Sequence, residues 1–177
     1  MSLIDSTYFV LEISLPEGTY NTISEHVDRY ERDILIQLLG YDLYKLVAEY
    51  DSGTSPQRIK DIVEGKEYTD GDYTVDWPGL VNAEKNSILA YYVYIQYVKN
   101  YSAMFTNIGV TAPAAEGGQV VGPAGLIQRA GYKLRELAGY PLQDALVGSL
   151  YNFLAYHESD YPEWVFNEYR PPNMFDV

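Results

Sequence analysis

The stretch from Ile88 to Val98 constrains the fold more than any other part of this chain. Apolar or aromatic side chains occupy nearly every side of a helix drawn through it. A helix without a polar face must be buried all round, between other helices or between subunits. We therefore predict a bundle built around it. This helix is predicted to be the longest in the chain, running over about residues 79–105 after the Trp77-Pro78-Gly79 opening.

Shorter amphipathic helices are predicted on both sides of this segment. Thr22 and Glu25 have capping-box spacing, and apolar residues then recur every three to four positions as far as Leu38. Gly40 predicts a tight corner between this helix and the next. The same periodicity predicts further helices over residues 41–50, 56–64, 124–138 and 142–157. The predicted fold class is mainly α, a bundle of about five to six helices with a small β element.

Two segments carry β patterns. Residues 7–15 alternate, with Phe9, Leu11, Ile13 and Leu15 on one face, which predicts a strand. Residues 66–77 flank Asp70-Gly71, which predicts a β-hairpin.

The remaining segments are irregular. Residues 107–125 are rich in Gly, Ala and Pro and predict a flexible loop. Residues 158–177 contain too much proline for a helix and too many aromatic residues for a free tail. This aromatic C-terminal arm either folds back on its own domain or lies across a neighbour. We predict one helical-bundle domain over residues 1–157, followed by the arm over 158–177.

Composition excludes several classes of function. The chain has 12 Lys and Arg against 25 Asp and Glu, a net charge of −13, which argues against binding to nucleic-acid phosphates or to an anionic membrane. It contains no cysteine, no apolar run of about 18 residues and no signal-peptide pattern. We therefore expect an acidic, soluble, intracellular-type protein.

No catalytic, cofactor or metal site is predicted. The two histidines, His26 and His157, match no zinc-protease or serine-hydrolase motif, and His157 fits the carbonyl end of a helix better. The glycines at 117–125 lack the lysine of a phosphate loop, and Asp70 and Asp72 fit turn chemistry better than a calcium loop. We expect no enzyme activity.

Tyrosine is the unusual component, with 19 Tyr against five Phe and two Trp. Tyrosine suits contact surfaces that are only partly dry. It either replaces Phe and Leu in the core or forms extensive protein–protein contacts.

Three segments resemble a known protein family. The corner Leu38-Leu39-Gly40-Tyr41-Asp42-Leu43-Tyr44 is similar to the Leu-Gly-x-x-Leu-Tyr corner of small proteins from tailed phages of gut Bacteroidetes, including the crAss-like group. The helix from Asn86 to Tyr94 with its exit Phe105-Thr106-Asn107-Ile108-Gly109-Val110 resembles the same family. So do Tyr151-Asn152-Phe153-Leu154 and Tyr161-Pro162-Glu163-Trp164 near the C-terminus. The resemblance covers roughly residues 20–165.

The resemblance implies a head-to-tail connector, or adaptor, in the neck of a virion. Such a protein is made in the host cytoplasm and forms a homo-oligomeric, commonly dodecameric ring that joins the portal protein to the tail and neck proteins. DNA would pass through the lumen without sequence-specific binding, and no membrane is involved. The alternative is a stand-alone soluble helical protein-binding module. An enzyme with an unrecognised site is the third possibility.

Candidate partner-contact residues lie in three places. The arm contributes Tyr161, Trp164, Phe166 and Tyr169, and the loop contributes Gly117 and Gly118. The predicted helix at 124–138 carries Arg129, Lys133 and Arg135 against Glu136 alone, a local net charge of +2. We expect this helix either to contact an acidic neighbour or to be a solvated face.

Overall fold

The computed structural model describes residues 2–15, 20–102, 105–106, 109–110, 123–139 and 148–165. Within these ranges the chain forms six α-helices: α1 (Tyr20–Leu39), α2 (Tyr41–Ala48), α3 (Gln57–Glu64), α4 (Ile88–Ser102), α5 (Pro123–Ala138) and α6 (Leu150–Tyr156). The strands are β1 (Lys66–Asp70), β2 (Tyr73–Trp77), β3 (Phe105–Thr106) and β4 (Gly109–Val110). The predicted fold class, mainly α with a small β-hairpin, is confirmed.

Helix α4 lies at the centre and packs between α1 and α5. From Ile88 to Val98 every side chain except the half-buried Gln96 is buried, as the sequence predicts. The predicted start of this helix near residue 79 is wrong. The backbone N–H groups of Leu80 and Val81 instead donate to carbonyls of α3, at 3.2 and 2.8 Å. Helix α4 begins only after Ser87, whose Oγ accepts the N–H of Leu89 at 3.2 Å as an N-cap does.

The strand predicted over residues 7–15 is wrong. Two short 3-10 turns replace it, Ser6–Tyr8 and Leu11–Ile13. The carboxylate of Asp5 caps the first turn by accepting the N–H of Thr7 at 2.8 Å, and Ile13 N donates to Val10 O at 3.1 Å in the second. No neighbouring strand pairs with this segment in the described part of the chain, so its backbone groups are satisfied locally.

The corner at Gly40 and the hairpin at 66–77 are confirmed. Gly40 separates α1 from α2 with φ of 76°, a conformation that favours glycine. Strands β1 and β2 pair antiparallel, with Lys66 opposite Trp77 and Asp70 opposite Tyr73, so Gly71 and Asp72 form a two-residue turn. Trp77 is 1% exposed and donates its indole N–H to Ile62 O at 3.1 Å, which anchors the base of the hairpin on α3.

The C-terminal helices agree with prediction in most of their described residues, but the prediction is wrong at 148–149, because Ser149 is the N-cap of α6 and the helix begins at Leu150. Helix α5 matches the predicted 124–138, and α6 buries Leu150, Phe153 and Leu154 as expected. The predicted residues 142–147 of the last helix lie outside the described residues, as does most of the 107–125 loop. Within the described ranges, no helix combines the length and apolar character that crossing a membrane requires.

Candidate functional site

An open cleft of about 280 Å³ lies where three parts of the fold meet. One wall is the N-terminal segment Val10–Ile13, and the second is the loop Glu84–Asn86 that precedes α4. Tyr91 of α4 and Lys133 of α5 complete the lining. We call this site the cleft.

The cleft contains two strained backbone positions. Leu11, with φ of 54°, and Lys85, with φ of 58°, are the non-glycine residues with positive φ in the described part of the chain. A left-handed conformation costs a residue with a Cβ roughly 1–2 kcal/mol. Such strain concentrates at functional sites, where the surrounding structure enforces it. The coincidence of both positions in one cleft marks it as the candidate site.

Packing on either side of Leu11 explains its strain. Phe9 and Ile13 are buried, at 3% and 2% exposure, and the turn that buries both rotates Leu11 outward to 80% exposure. The predicted strand put Leu11 on the same face as Phe9 and Ile13, and that prediction is wrong. The turn leaves a large apolar side chain in solvent at the edge of the cleft.

Two asparagines hold the loop that carries Lys85. Asn82 Nδ2 donates to Asn86 O at 2.9 Å, and Asn86 N donates to Asn82 Oδ1 at 3.0 Å. Tyr8 also donates its hydroxyl to Asn82 O at 3.3 Å, which ties the loop to the N-terminal segment. Hydrogen bonds within the loop and one from the N-terminal segment therefore hold the strained loop in place.

The charged side chains that line the cleft are balanced, with Glu12 and Glu84 beside Lys85 and Lys133. Tyr91 donates its hydroxyl to Glu12 Oε1 at 2.5 Å. This hydrogen bond is the main reason that the pKa of Glu12 is lowered, and Lys133 and Arg129 lower it further. Burial, followed by the carboxylate of Glu12, raises the pKa of Tyr91. The hydrogen bond from the neutral Tyr91 leaves Glu12 ionised, so the cleft presents two carboxylates and two ammonium groups.

The histidines of the chain lie away from the cleft. Its lining contains no histidine, and no cluster of metal-ligating side chains occurs among the described residues. His26 packs its ring against Tyr97 at a centroid distance of 5.5 Å. His157 Nδ1 lies 2.9 Å from Phe153 O at the end of α6, which confirms the predicted helix-end position. Neither histidine lines the cleft.

The three cationic side chains predicted as contact residues on α5 do not all line the cleft. Lys133 lines the cleft and also pairs with Glu136, Nζ to Oε2 2.8 Å. Arg129 is exposed and influences Glu12 electrostatically. Arg135 instead lies over the ring of Tyr132 at 4.8 Å and donates Nε–H to Gly131 O at 3.3 Å. Of the predicted contact residues, Lys133 is the one that the fold brings to the cleft.

The described part of the arm, residues 158–165, folds back on its own chain. Tyr161 is 2% exposed and donates its hydroxyl to Arg58 O at 2.9 Å, so it lies in the core and presents no contact surface. Trp164 is half-buried and donates its indole N–H to Leu38 O at 3.1 Å. The predicted contact residues Phe166, Tyr169, Gly117 and Gly118 lie outside the described residues.

A model of the family DUF6712, described as a family of unknown function, matches residues 35–174. The chain belongs to this family. No curated protein and no solved structure matches it. In this DUF6712 chain the matched region includes Lys85, Tyr91 and Lys133 of the cleft. The N-terminal wall, with Leu11 and Glu12, precedes the matched region.

Most residues that line the cleft were not predicted as site residues from the sequence. Lys85 belongs to a segment predicted as helical, and Leu11 belongs to a segment predicted as a strand. Asn82 and Asn86, four residues apart, are the one local signal of a non-helical loop, since asparagine side chains bond nearby backbone groups.

Proposed function

We propose that this protein is a structural subunit of the head-to-tail connector of a tailed phage. In this role it forms a dodecameric ring between the portal protein and the tail, and it resides in the virion neck. DNA passes through the lumen without sequence-specific contacts. The subunit has no enzymatic role. The resemblance over residues 20–165 supports this proposal.

The main structural support for the proposal is a set of large apolar side chains that are exposed to solvent. Each is more than half exposed, and they come from the N-terminal segment, α2, β2, α5, α6 and the arm: Leu11, Tyr41, Tyr73, Tyr132, Tyr156 and Val165. Four of them are tyrosines, a residue type enriched in protein interfaces. A ring subunit needs two different contact surfaces for its neighbours and further surface for the components above and below.

The acidity of the chain is compatible with a DNA passage. A wall of net negative charge repels phosphate, so DNA slides past without adhering. We expect that neutralising acids on the lumen side slows DNA ejection. An unchanged ejection rate would remove this part of the proposal.

One observation favours the alternative, a stand-alone protein-binding module. Residues 158–165 pack on their own chain through Tyr161, Glu163 and Trp164, so this part of the arm needs no neighbour to become ordered. A monomeric module with a fixed arm has this property.

Counting the chain in purified particles separates the two functions. Quantitative peptide mass spectrometry would measure this chain against the portal protein, with a non-structural protein of the same phage as the control for carry-over. A ratio near one to one supports the connector. Absence of the chain from the particle overturns it and returns the binding module as the function.

A further inference from the structure

We infer that the outer edge of strand β1 (Lys66–Asp70) pairs antiparallel with the same edge of a second copy of this chain. Joined in this way, the two hairpins form one four-stranded sheet. The contact is isologous and closes with two copies, so it is not the contact that would repeat around a ring. It concerns the free chain, and it stands or falls independently of the connector function.

The hairpin turn fixes which backbone groups of β1 face outward. A two-residue turn is closed by a hydrogen-bonded pair, here Asp70 and Tyr73, and bonded and non-bonded pairs then alternate along the ladder. The N–H and C=O groups of Glu67 and Thr69 therefore point away from β2. Both residues are exposed, and in the described part of the chain neither backbone forms a hydrogen bond outside the hairpin. Strand β1 thus presents four unpaired backbone groups at a sheet edge.

The outer edge of β2 differs because the chain itself covers it. By the same alternation, the carbonyl oxygen of Asp76 points outward from β2. A Cβ built on Gly148 would lie 2.6 Å from Asp76 O, so the residues before α6 pack directly against this edge. Among the described residues, the open edge of the hairpin is therefore that of β1.

One register of pairing uses all four outward groups of β1. It places Glu67 opposite the partner's Thr69, and Thr69 opposite the partner's Glu67, so each pair exchanges two hydrogen bonds. Tyr68 then faces the partner's Tyr68, and Lys66 faces the partner's Asp70, so that no like charges are opposed. Slipping the pairing by two residues either opposes the two Glu67 carboxylates or moves residues of the turn into the ladder.

The backbone pattern, and not charge, selects a second copy as the partner. Lys66 Nζ already pairs with Asp61 Oδ2 at 2.7 Å, so its attraction to the partner's Asp70 adds little. A second copy supplies an edge with the same spacing of donors and acceptors, and this edge is already extended and held on its own domain. Little conformational freedom is therefore lost when two such edges pair.

A large exposed apolar side chain lies beside the same edge. Tyr156 of α6 is 52% exposed, and its ring centroid lies 5.0 Å from that of Tyr68 on β1. Trp77 of β2 instead stacks on Phe153, deeper in the domain. The two-fold axis that relates the paired strands keeps the α6-covered faces of both hairpins on one side of the sheet. Pairing therefore also removes apolar surface near Tyr156 from water.

The pair of free copies should be transient. Two five-residue strands bury much less than the ~800 Å² per partner of a stable complex. The test must therefore trap the pair covalently or detect it at high protein concentration.

Disulfide trapping tests the register directly because the chain contains no cysteine. Glu67→Cys and Thr69→Cys place thiols at exposed positions of β1. In the inferred pair these two positions face each other with Cα atoms about 5.5 Å apart, within the range of about 4.4–6.8 Å that a disulfide requires. Two copies of the same variant instead have their thiols displaced by about 7 Å along the strand.

The two purified full-length variants are mixed in a glutathione redox buffer at fixed total protein concentration. We expect the mixture to yield severalfold more disulfide-linked dimer than either variant alone. Thr74→Cys mixed with Asp76→Cys is the matched control, since it has the same spacing and exposure on the covered edge of β2. The inference is overturned if the β1 mixture yields no more dimer than the control mixture or than the single variants.

Amide exchange gives a second readout in the unmodified chain. The N–H groups of Glu67 and Thr69 should exchange severalfold more slowly at high than at low protein concentration, whereas the N–H of Thr74 should not change. Thr69→Pro removes an outward N–H without removing a hydrogen bond of the hairpin, and it should abolish the concentration dependence at Glu67. Exchange at Glu67 and Thr69 that does not depend on concentration would equally overturn the inference. Either result leaves the connector function to be judged by the abundance of the chain in particles.

Discussion

Arg58 of α3 forms a bidentate ion pair with Glu163 of the C-terminal arm, which lies 105 residues later in the sequence. Its two terminal nitrogens donate to the two carboxylate oxygens at 2.8 Å each, and Nη1 also donates to Asp160 O at 3.0 Å. This bidentate pair is the main polar contact that holds the arm on the bundle, together with the indole of Trp164 on Leu38 O. Arg58 thereby holds Asp160 and Glu163 of the arm on α3.

We predict that Arg58→Ala releases the arm more than it destabilises the domain. Arg58 and Glu163 are 34% and 29% exposed, so solvent screens the pair and its loss should lower the free energy of unfolding by only about 1 kcal/mol. Hydrogen exchange of residues 158–165 should rise strongly, whereas exchange in α4 should not change.

Lys45→Ala provides the matched control for that experiment. Lys45 forms an exposed ion pair with Asp42 within α2, at 2.9 Å, and does not contact the arm through that pair. Its loss should leave exchange in the arm unchanged. Equal protection of the arm in wild type and Arg58→Ala would show that the ion pair does not hold it.

Gly65 should tolerate alanine far less well than Gly71. Both have positive φ, 94° and 61°, so alanine is strained at either position. A Cβ at Gly65 would lie 2.5 Å from Trp77 O and 2.7 Å from Pro78 C, whereas a Cβ at Gly71 meets nothing within 4 Å. We expect Gly71→Ala to cost about 1 kcal/mol and Gly65→Ala about 3 kcal/mol or more in denaturant unfolding. Similar losses would contradict the close packing of α3 on the hairpin base.

Alkaline pH should destabilise the fold through its tyrosines. Burial, together with a hydrogen bond to Glu64, raises the pKa of Tyr50 from 10.0 to about 12, and burial raises the pKa of Tyr161 and Tyr91 as well. The folded chain therefore keeps protons that the unfolded chain releases. This stabilisation is complete below about pH 10 and is lost as the pH rises toward 12.

Tyrosinate absorbance during an alkaline titration tests that expectation. The folded protein should show a late-titrating group of tyrosines, and Tyr50→Phe should remove one of them. Simultaneous titration of all tyrosines near pH 10 in the folded state would refute the prediction.

Leu11→Asn should stabilise the domain. Asparagine accepts a left-handed backbone more readily than leucine does, and the side chain it replaces is 80% exposed, so we expect a gain of up to about 1 kcal/mol. Tyr41→Asn, an exposed substitution on α2, is the control and should not raise the free energy of unfolding. A loss of stability in Leu11→Asn would show that the exposed leucine supports the fold.

Local patterns in the sequence were sufficient for much of the fold. The apolar residues from Ile88 to Val98 required a buried helix, Gly40 required a corner, and Asp70-Gly71 required a hairpin turn. Each of these depends on neighbours within a few positions, since helical periodicity and turn conformation are short-range properties. The six helices of the described residues agree with those patterns, although their ends do not always agree.

Long-range contacts decided what the patterns could not. Residues 79–87 were predicted as part of the long helix. The N–H groups of Leu80 and Val81 instead donate to carbonyls of α3, and α4 begins only at Ile88. Residues 7–15 alternate like a strand, but no partner strand lies beside them in the described chain, so they form turns and expose Leu11.

The candidate site depends wholly on long-range contacts. Its chemistry depends on bringing Leu11, Lys85, Tyr91 and Lys133 together from four separate segments, and on a backbone strain at Leu11 and Lys85 that no local propensity predicts. By itself the sequence determined the helices, the hairpin and the acidic, tyrosine-rich composition. The tertiary structure alone decided that this cleft of charged and apolar side chains forms, because strain and juxtaposition exist only when the rest of the fold enforces them.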